Sequence, residues 1–242
     1  MEENKKRAKI KLKVIIIIGT IIALTIVGII IFVNISQNNI QNSNNNGGST
    51  YIPNDPKMDI DLKPIIYLYP EKTVEISVKL GKPENITCSY PKYNNEWNVI
   101  ANPDGTLIDT NTGRKLYSLY WEGIHSQTSN LEEGFVVKGD DTIEFLEEKL
   151  AILGLNQIEA EEFIVYWLPK LQENKYNYIR FATMDEINKN MPLEFSTQPS
   201  TIIRVLMQYK ALDNYIEVKE QKLETPERAG FTVVEWGGTE IK

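Results

Sequence analysis

The sequence predicts an α+β protein: an N-terminal transmembrane helix, then a mostly antiparallel β domain with an inserted pair of helices. Three observations support this prediction. Residues 14–33 carry no charge, strand-like stretches occur on both sides of residues 142–168, and those residues show helical periodicity. Strands and helices do not alternate as βαβα units, so the pattern favours α+β over a parallel α/β sheet.

The first predicted element is the apolar run Val14–Val33. As a helix this run is about 30 Å long, which matches the hydrocarbon thickness of a bilayer. Residues 1–13 are rich in Lys and Arg, so we expect a cytoplasmic N-terminus and residues 35–242 outside the cell. A cleaved signal peptide is the alternative, but it needs a shorter apolar core and a small-residue cleavage site. The sequence therefore predicts a single-pass protein of the cell membrane, with the lipid bilayer as its partner.

The predicted domain organisation follows from composition. Residues 1–13 form a basic cytoplasmic tail, and residues 34–56 form an Asn-rich flexible linker and lead-in segment. Residues 57–242 form an extracytoplasmic domain long enough for one sizeable core.

Alternating apolar and polar residues predict strands in the first half of this domain. The clearest is Thr73–Leu80, where every second residue is apolar. Pro103 and Gly105 suit a turn that joins Trp97–Ala101 and Thr106–Ile108 as a hairpin. The other strands predicted here are Pro64–Tyr69, Lys115–Trp121 and Phe135–Lys138.

Two amphipathic helices follow. Thr142–Leu153 has Asp141 as its predicted N-cap, and Gln157–Trp167 has Asn156 with a Glu three residues later. Pro169 is expected to end or kink the second helix, because proline disfavours helix at the preceding residue. The strands predicted after the helices are Tyr176–Ala182, Ile202–Tyr209, Tyr215–Lys219 and Gly230–Trp236.

The charge distribution limits the partners of the domain. Residues 1–13 hold six of the 26 basic and two of the 33 acidic residues, which leaves a formal charge of −11 for residues 14–242. Such a domain repels polyanions, so we expect no nucleic-acid partner and no anionic wall polymer. Cationic peptides, metal ions and neutral glycans stay compatible with this charge.

Few residues carry an enzymatic signature. The sequence contains no Gly-rich phosphate loop, no HExxH, no CxxC and no GxSxG, so it indicates no cofactor. Cys88 and His125 are conceivable as a nucleophile and base, but the single cysteine is more simply a small core residue. Asp109 and Asn111 resemble the start of a calcium loop, although the pattern lacks its glycine and final glutamate. We interpret both as turn residues, with calcium as the alternative.

A local theme occurs twice, at Tyr120–Gly123 and Glu235–Gly238, where Trp lies beside Glu and Gly at a strand end. Indole faces stack on sugar rings and carboxylates accept hydroxyl protons, so this theme suggests a glycan site. The simpler interpretation, with the glycan site as its alternative, is that both Trp side chains are core residues and both Glu side chains are exposed. The aromatic cluster Tyr166–Leu171 is also interpreted as core. The candidate binding residues are Trp121, Trp236 and Tyr120.

The same theme allows a catalytic interpretation. Glu122 and Glu235, with the help of His125, are candidates for the acid and base of a glycoside hydrolase. The leading prediction is nevertheless a non-catalytic module that binds an envelope protein or a glycan. The alternatives are a wall-associated hydrolase that uses this carboxylate pair and a structural envelope protein.

Five stretches of the chain together resemble a group of uncharacterised bacterial proteins that are predicted to be membrane-anchored or secreted. The stretches are KPIIYLYPE (Lys63–Glu71), WNVIANPDGTL (Trp97–Leu107), YWEG (Tyr120–Gly123), EFIVYWLPKL (Glu162–Leu171) and FTVVEWGG (Phe231–Gly238). The resemblance implies that residues 63–238 form one module. The group has no established activity, so the resemblance implies no catalytic role.

Overall fold

The computed structural model describes residues 59–125 and 131–241, which all belong to one compact unit of the chain. The predicted membrane helix at residues 14–33 and the linker at residues 34–56 lie outside these ranges. Within the described part, two β-sheets and three α-helices form three layers: helices, a large sheet and a small sheet. The α+β class and the mostly antiparallel pairing are confirmed.

Thirteen strands and three α-helices make up the described part of the chain. The strands are β1 (Asp59–Tyr69), β2 (Val74–Leu80), β3 (Ile86–Tyr90), β4 (Trp97–Ala101), β5 (Leu107–Asp109), β6 (Lys115–Leu116), β7 (Leu119–His125), β8 (Glu133–Lys138), β9 (Tyr176–Phe181), β10 (Leu193–Phe195), β11 (Thr201–Leu212), β12 (Lys219–Glu220) and β13 (Thr232–Glu240). The helices are α1 (Thr142–Ile152), α2 (Gln157–Gln172) and α3 (Met184–Asn190).

The large sheet has the strand order β12-β8-β9-β11-β13-β1-β7-β3, and the small sheet has the order β10-β2-β4-β5-β6. Neighbouring strands are antiparallel except for the pairs β11–β13 and β8–β12, which are parallel. Strand β13 therefore lies between β11 and β1 near the centre of the large sheet. This central position explains why eight of its nine residues are buried.

The helix-facing side of the large sheet carries the first core. Side chains of β1, β9, β11 and β13 pack there against α1 and α2, and the largest contributors are Phe163, Trp167 and Trp236. Rings of Phe163 and Trp236 meet edge to face, with centroids 5.4 Å apart. This layer is the reason why the two predicted amphipathic helices form.

The opposite side of the large sheet carries the second core. Its residues alternate along each strand with those of the first core, as the pleat requires. They pack against the small sheet, whose strands β2 and β4 contribute Ile76, Val78 and Trp97. Helix α3 covers part of the same side through Ile187, which contacts Leu206. The small sheet and helix α3 thus together cover this side of the large sheet.

Helix α2 continues past Pro169 to Gln172, so the expected end at this proline was wrong. Proline removes one backbone donor to the carbonyl four residues earlier, at Val165. Val165 lies on the exposed face of the helix, where water can donate a hydrogen bond to its carbonyl instead. Leu171 is fully buried, and its packing keeps the last turn helical. Asp141 is the N-cap residue of α1 as predicted, but it lies at the end of a 3-10 turn and its side chain makes no capping hydrogen bond.

Five other elements differ from the predictions. The predicted strand Lys115–Trp121 is split, because β6 belongs to the small sheet and β7 to the large one. Of Tyr215–Lys219, only Lys219 is paired in a sheet, and the exposed Tyr215 ring rests on Tyr176 instead. Strand β3, strand β10 and helix α3 were not predicted. They are short, so their sequences contain too few periods to be recognised.

Candidate functional site

The main candidate site is an open cleft of about 590 Å³ beside α2, on the helix-facing side of β7. Helices cover this side of the sheet over β11, β13 and part of β1, and the cleft lies where that cover ends. Four tyrosines line it: Tyr90, Tyr117, Tyr120 and Tyr166. We call it the tyrosine cleft. Its volume falls within the range of about 300–1,000 Å³ that is common for small-molecule sites.

Strand register brings two of these tyrosines together. Tyr90 of β3 is the direct cross-strand partner of Tyr120 of β7, and Glu122 lies on the same face two residues further. Tyr117 comes from the short link between β6 and β7 and is 58% exposed, while Tyr90 is 52% exposed. More than half of each side chain is therefore accessible to a ligand.

A β-bulge places Lys63 in the tyrosine cleft. The register of β1 shifts beside Lys63 against both of its neighbours, and Lys63 adopts a left-handed backbone with φ of 55°. Its Nζ lies 4.7 Å from the ring centroid of Tyr166 and 5.5 Å from that of Trp236. A left-handed conformation costs a residue with a Cβ about 1–2 kcal/mol. Such local strain is frequent at binding sites, where it holds one side chain in a required position.

The hydroxyls of Tyr120 and Tyr166 are hydrogen-bond donors at neutral pH. Burial and the adjacent Glu122 carboxylate raise the pKa of Tyr120 above its usual value of 10. Burial raises the pKa of Tyr166 in the same direction, and the charge of Glu122 adds to the shift. The cleft thus combines aromatic faces, neutral hydroxyl donors, one carboxylate and the ammonium groups of Lys63 and Lys115.

The candidate Trp side chains are not available to a ligand. Trp121 is 2% exposed and packs in the second core, whereas Trp236 is 0% exposed and packs in the first. Trp121 Nε1 donates a 2.9 Å hydrogen bond to Glu235, and Trp236 Nε1 donates one of 3.2 Å to Tyr67. Of the predicted binding residues, the structure places only Tyr120 at the tyrosine cleft.

The structure does not bring Glu122 and Glu235 together. Glu235 is aligned with Ile66 of β1, whereas Trp236 and Tyr120 are both aligned with Ile65. Glu235 therefore lies on the face of the second core, and Glu122 lies on the opposite face in the tyrosine cleft. One cleft cannot hold both carboxylates, and a two-carboxylate hydrolase needs them about 5–10 Å apart across one sugar. The side chain of His125 lies outside the described part of the structure.

Asp109 is buried in its own turn. Its carboxylate accepts hydrogen bonds from the Asn111 N–H at 3.0 Å and from Thr112 Oγ1 at 2.6 Å. Gly113 closes the turn in a left-handed conformation. In residues 59–125 and 131–241, no group of three or more His, Cys, Asp and Glu side chains is arranged to hold a metal ion.

Cys88 is exposed, so its interpretation as a core residue was wrong. It lies on β3, the edge strand of the large sheet, and is paired in register with Glu122. The helices do not reach this edge, and nothing buries the thiol. Among the described helices, none is both long and apolar enough to cross a bilayer.

The sequence did not identify most residues of the tyrosine cleft. Lys63, Tyr90 and Tyr117 belong to separate elements, and Tyr166 was interpreted as core with its neighbours. Trp167 is indeed core, whereas the Tyr166 ring turns to the cleft. The available signal was Lys63 before Pro64, a charged residue within an apolar strand pattern.

The fold and the site together define an α+β domain with three layers and an open, tyrosine-lined cleft. No family model and no solved structure matches the chain. Among curated proteins, the "Uncharacterized protein in bglA 3'region" of Butyrivibrio fibrisolvens is 47% identical over 66 residues, which cover 26% of this chain and 67% of that protein. The chain belongs to the same family as this protein. The name of the relative states no activity, so the function is inferred from the site.

Proposed function

We propose that this protein is a non-catalytic binding module that holds a glycan in the tyrosine cleft. The observation that carries the proposal is the convergence of four tyrosines, from three separate parts of the chain, on one open site. Tyrosine offers a flat apolar face for a sugar ring and a hydroxyl that bonds to the hydroxyls of the sugar. The Glu122 carboxylate can accept hydrogen bonds from further hydroxyl groups of the sugar.

Two features favour binding over cleavage. Glu122 is the sole carboxylate among the described residues that line the cleft, so the paired acid and base of a glycosidase are missing there. The other predicted carboxylate, Glu235, is already engaged by Arg204 and Trp121. Glu235 is also almost completely buried, at 4% exposed, so a substrate cannot reach its carboxylate.

The proposed location is the outer side of the cell membrane. In this arrangement, residues 14–33 span the bilayer, the basic residues 1–13 stay in the cytoplasm, and the linker holds the module near an envelope glycan. Cys88 is the single thiol of the chain and is exposed, so it reports orientation directly. A membrane-impermeant maleimide should label intact cells of a single-membrane bacterium that express the full chain, and Cys88→Ser should abolish labelling. Labelling only after lysis would reverse the proposed orientation.

Binding is tested with the full chain, purified in detergent and applied to an array of neutral, N-acetylated and uronate-bearing oligosaccharides. We expect the wild type to bind a subset of these glycans. Tyr117→Ala should weaken that binding about tenfold, because one stacking ring contributes on the order of 1 kcal/mol. Tyr215→Ala is the matched control, since Tyr215 is a similarly exposed tyrosine outside the cleft. If the wild type binds no glycan, the proposal is wrong.

A protein partner is the second candidate. Ile158 and Val165 lie two turns apart on α2 and are 68% and 69% exposed, so the outer surface of the helix carries two exposed apolar side chains. A partner that contacts them would be lost in Val165→Lys and kept in Tyr117→Ala. The remaining alternative is a structural envelope protein. In that case neither Val165→Lys nor Tyr117→Ala should change any binding.

A further inference from the structure

We infer that the glycan of the tyrosine cleft carries a carboxylate on an otherwise neutral sugar chain, and that Lys63 and Lys115 bind this carboxylate. The inference rests on the proposed function, since it specifies the ligand of the same cleft. The observation behind the inference is that the net charge of the cleft lining is positive, whereas the net charge of the whole chain is negative.

The local charge of the cleft is positive. Lys63 and Lys115 line it together with the single acidic residue Glu122, and Lys170 lies at its edge with Nζ 4.2 Å from the ring centroid of Tyr166. The whole chain, in contrast, has a formal charge of −7. A positive site on an acidic protein attracts a single negative group, whereas the acidic surface around it repels a polyanion.

Backbone conformation and ring contacts both place Lys63 at the cleft. Its left-handed bulge directs the side chain toward the rings of Tyr166 and Trp236, and the cation–π contacts hold the ammonium there. The ring contacts leave ammonium N–H donors for a ligand, because a π-face occupies only one side of the group. A long side chain that is already ordered loses little entropy when a carboxylate binds.

The arrangement of the groups fits one sugar ring with one acid group. The exposed faces of Tyr90 and Tyr117 provide stacking surfaces, and Glu122 accepts bonds from hydroxyl groups. Glu122 repels a second negative charge near it, so the acid group belongs on the side of the lysines. Uronic acids and lactyl-ether sugars have this chemistry, whereas uniformly charged polyanions do not.

The test uses matched sugar pairs that differ only in the acid group. Each pair is a neutral oligosaccharide and the same chain with a single acidic unit in place of one neutral unit: glucuronate for glucose, galacturonate for galactose, mannuronate for mannose, or N-acetylmuramate for N-acetylglucosamine. The affinity of the full chain in detergent is measured by isothermal titration calorimetry at 50 and 500 mM salt. We expect the acidic member of at least one pair to bind about tenfold more tightly than its neutral partner, and the difference to shrink at high salt.

Two variants assign the preference to its residues. Lys63→Met keeps the stem of the side chain and removes its charge, so the preference for the acidic sugar should become clearly weaker, with only Lys115 left to bind the carboxylate. Lys219 is a highly exposed lysine outside the cleft, so Lys219→Met should leave the preference unchanged. Equal affinity for both members of every pair would overturn the inference and leave the proposed function intact. Failure of the wild type to bind any member would overturn both.

Discussion

Arg204 donates a hydrogen bond of 2.6 Å from Nε to Oε2 of Glu235, and both side chains are almost completely shielded from solvent. The two residues are direct partners on the parallel strands β11 and β13. Trp121 of β7 donates to the other oxygen of Glu235, and Arg204 Nη1 donates to Asn188 of α3. One buried ion pair thereby connects three strands of the large sheet to a helix.

Removal of one partner of this pair should be strongly destabilising. In Arg204→Met the carboxylate of Glu235 stays buried without its counter-charge, and we expect a loss of about 3–5 kcal/mol in the free energy of unfolding. In the double variant Arg204→Met/Glu235→Gln no buried charge is left, so the loss should be clearly smaller. Urea denaturation of the wild type, both single variants and the double variant measures this coupling.

The exposed ion pair between Lys219 and Glu133 provides the control for this cycle. Lys219→Met should cost no more than about 1 kcal/mol, because water screens exposed pairs. Strictly additive losses in the buried pair would show that Arg204 and Glu235 do not stabilise each other.

A second buried carboxylate, Glu159, should stabilise the start of α2. It accepts two hydrogen bonds from Arg228, at 2.8 and 3.0 Å, and one from the backbone N–H of Asn156. Glu159→Gln removes the charge and places an amide against the guanidinium, so we expect a loss of about 2–3 kcal/mol. The measurement is again the free energy of unfolding in urea.

Asn156→Ala is the comparison for this variant, because it removes the cap and keeps the ion pair. A lost N-cap costs about 1 kcal/mol. If Glu159→Gln proves no worse than Asn156→Ala, the contact with Arg228 contributes nothing beyond the cap.

Acid should weaken the attachment of α3 through Glu186. Burial raises the pKa of this carboxyl, but hydrogen bonds from Arg180 and Thr183 outweigh it, so the net shift is below the usual value of 4.5. A lowered folded-state pKa adds stability that is complete above pH 4.5 and is lost as the pH falls through the lower folded-state pKa.

In Glu186→Gln this acid-dependent part of the stability should be missing. Unfolding free energies of the variant and the wild type, measured from pH 7 to pH 3, should therefore differ most at pH 7 and converge toward pH 3. A difference that stays constant over this range would mean that the carboxyl does not titrate with folding.

Relief of the strain at Lys63 should separate stability from binding. Lys63→Gly replaces a left-handed residue by glycine, which adopts this conformation without steric cost, but it also loses the cation–π contacts. We expect the free energy of unfolding to stay the same or to rise by about 1 kcal/mol, while the preference for acidic sugars becomes clearly weaker. Thermal unfolding and calorimetry measure the two effects.

Asn95 offers a matched position for that substitution, with φ of 69°. Asparagine tolerates the left-handed region, so Asn95→Gly should change stability by less than about 0.5 kcal/mol and leave binding intact. A loss of more than about 1 kcal/mol in Lys63→Gly would assign Lys63 to the structure rather than to the ligand.

Local features of this fold could be predicted from the sequence. The capping box at Asn156 forms as expected, because its bonds join residues only three positions apart. Strand β2 was predicted for a similar reason, since its alternation reflects one buried and one exposed face. These patterns depend on the immediate neighbours of each residue.

The site could not be predicted in the same way, because it depends on register. The order of Trp and Glu is reversed between Trp121–Glu122 and Glu235–Trp236, so the two similar stretches present opposite residue types to a given face of the sheet. Only the alignment of both strands with β1 reveals this. Tyr90, Tyr117 and Tyr166 likewise meet through sheet order and helix placement, which no local pattern encodes.

The central position of β13 has a consequence for the synthesis of the protein. Residues 232–240 fill the gap between β1 and β11, so the large sheet stays in two parts until the ribosome has released this stretch. A nascent chain that lacks it exposes two unpaired apolar strand edges, which are templates for aggregation and targets for chaperones. The large sheet therefore becomes continuous only after β13 has been made, and β13 follows every other described strand in the chain.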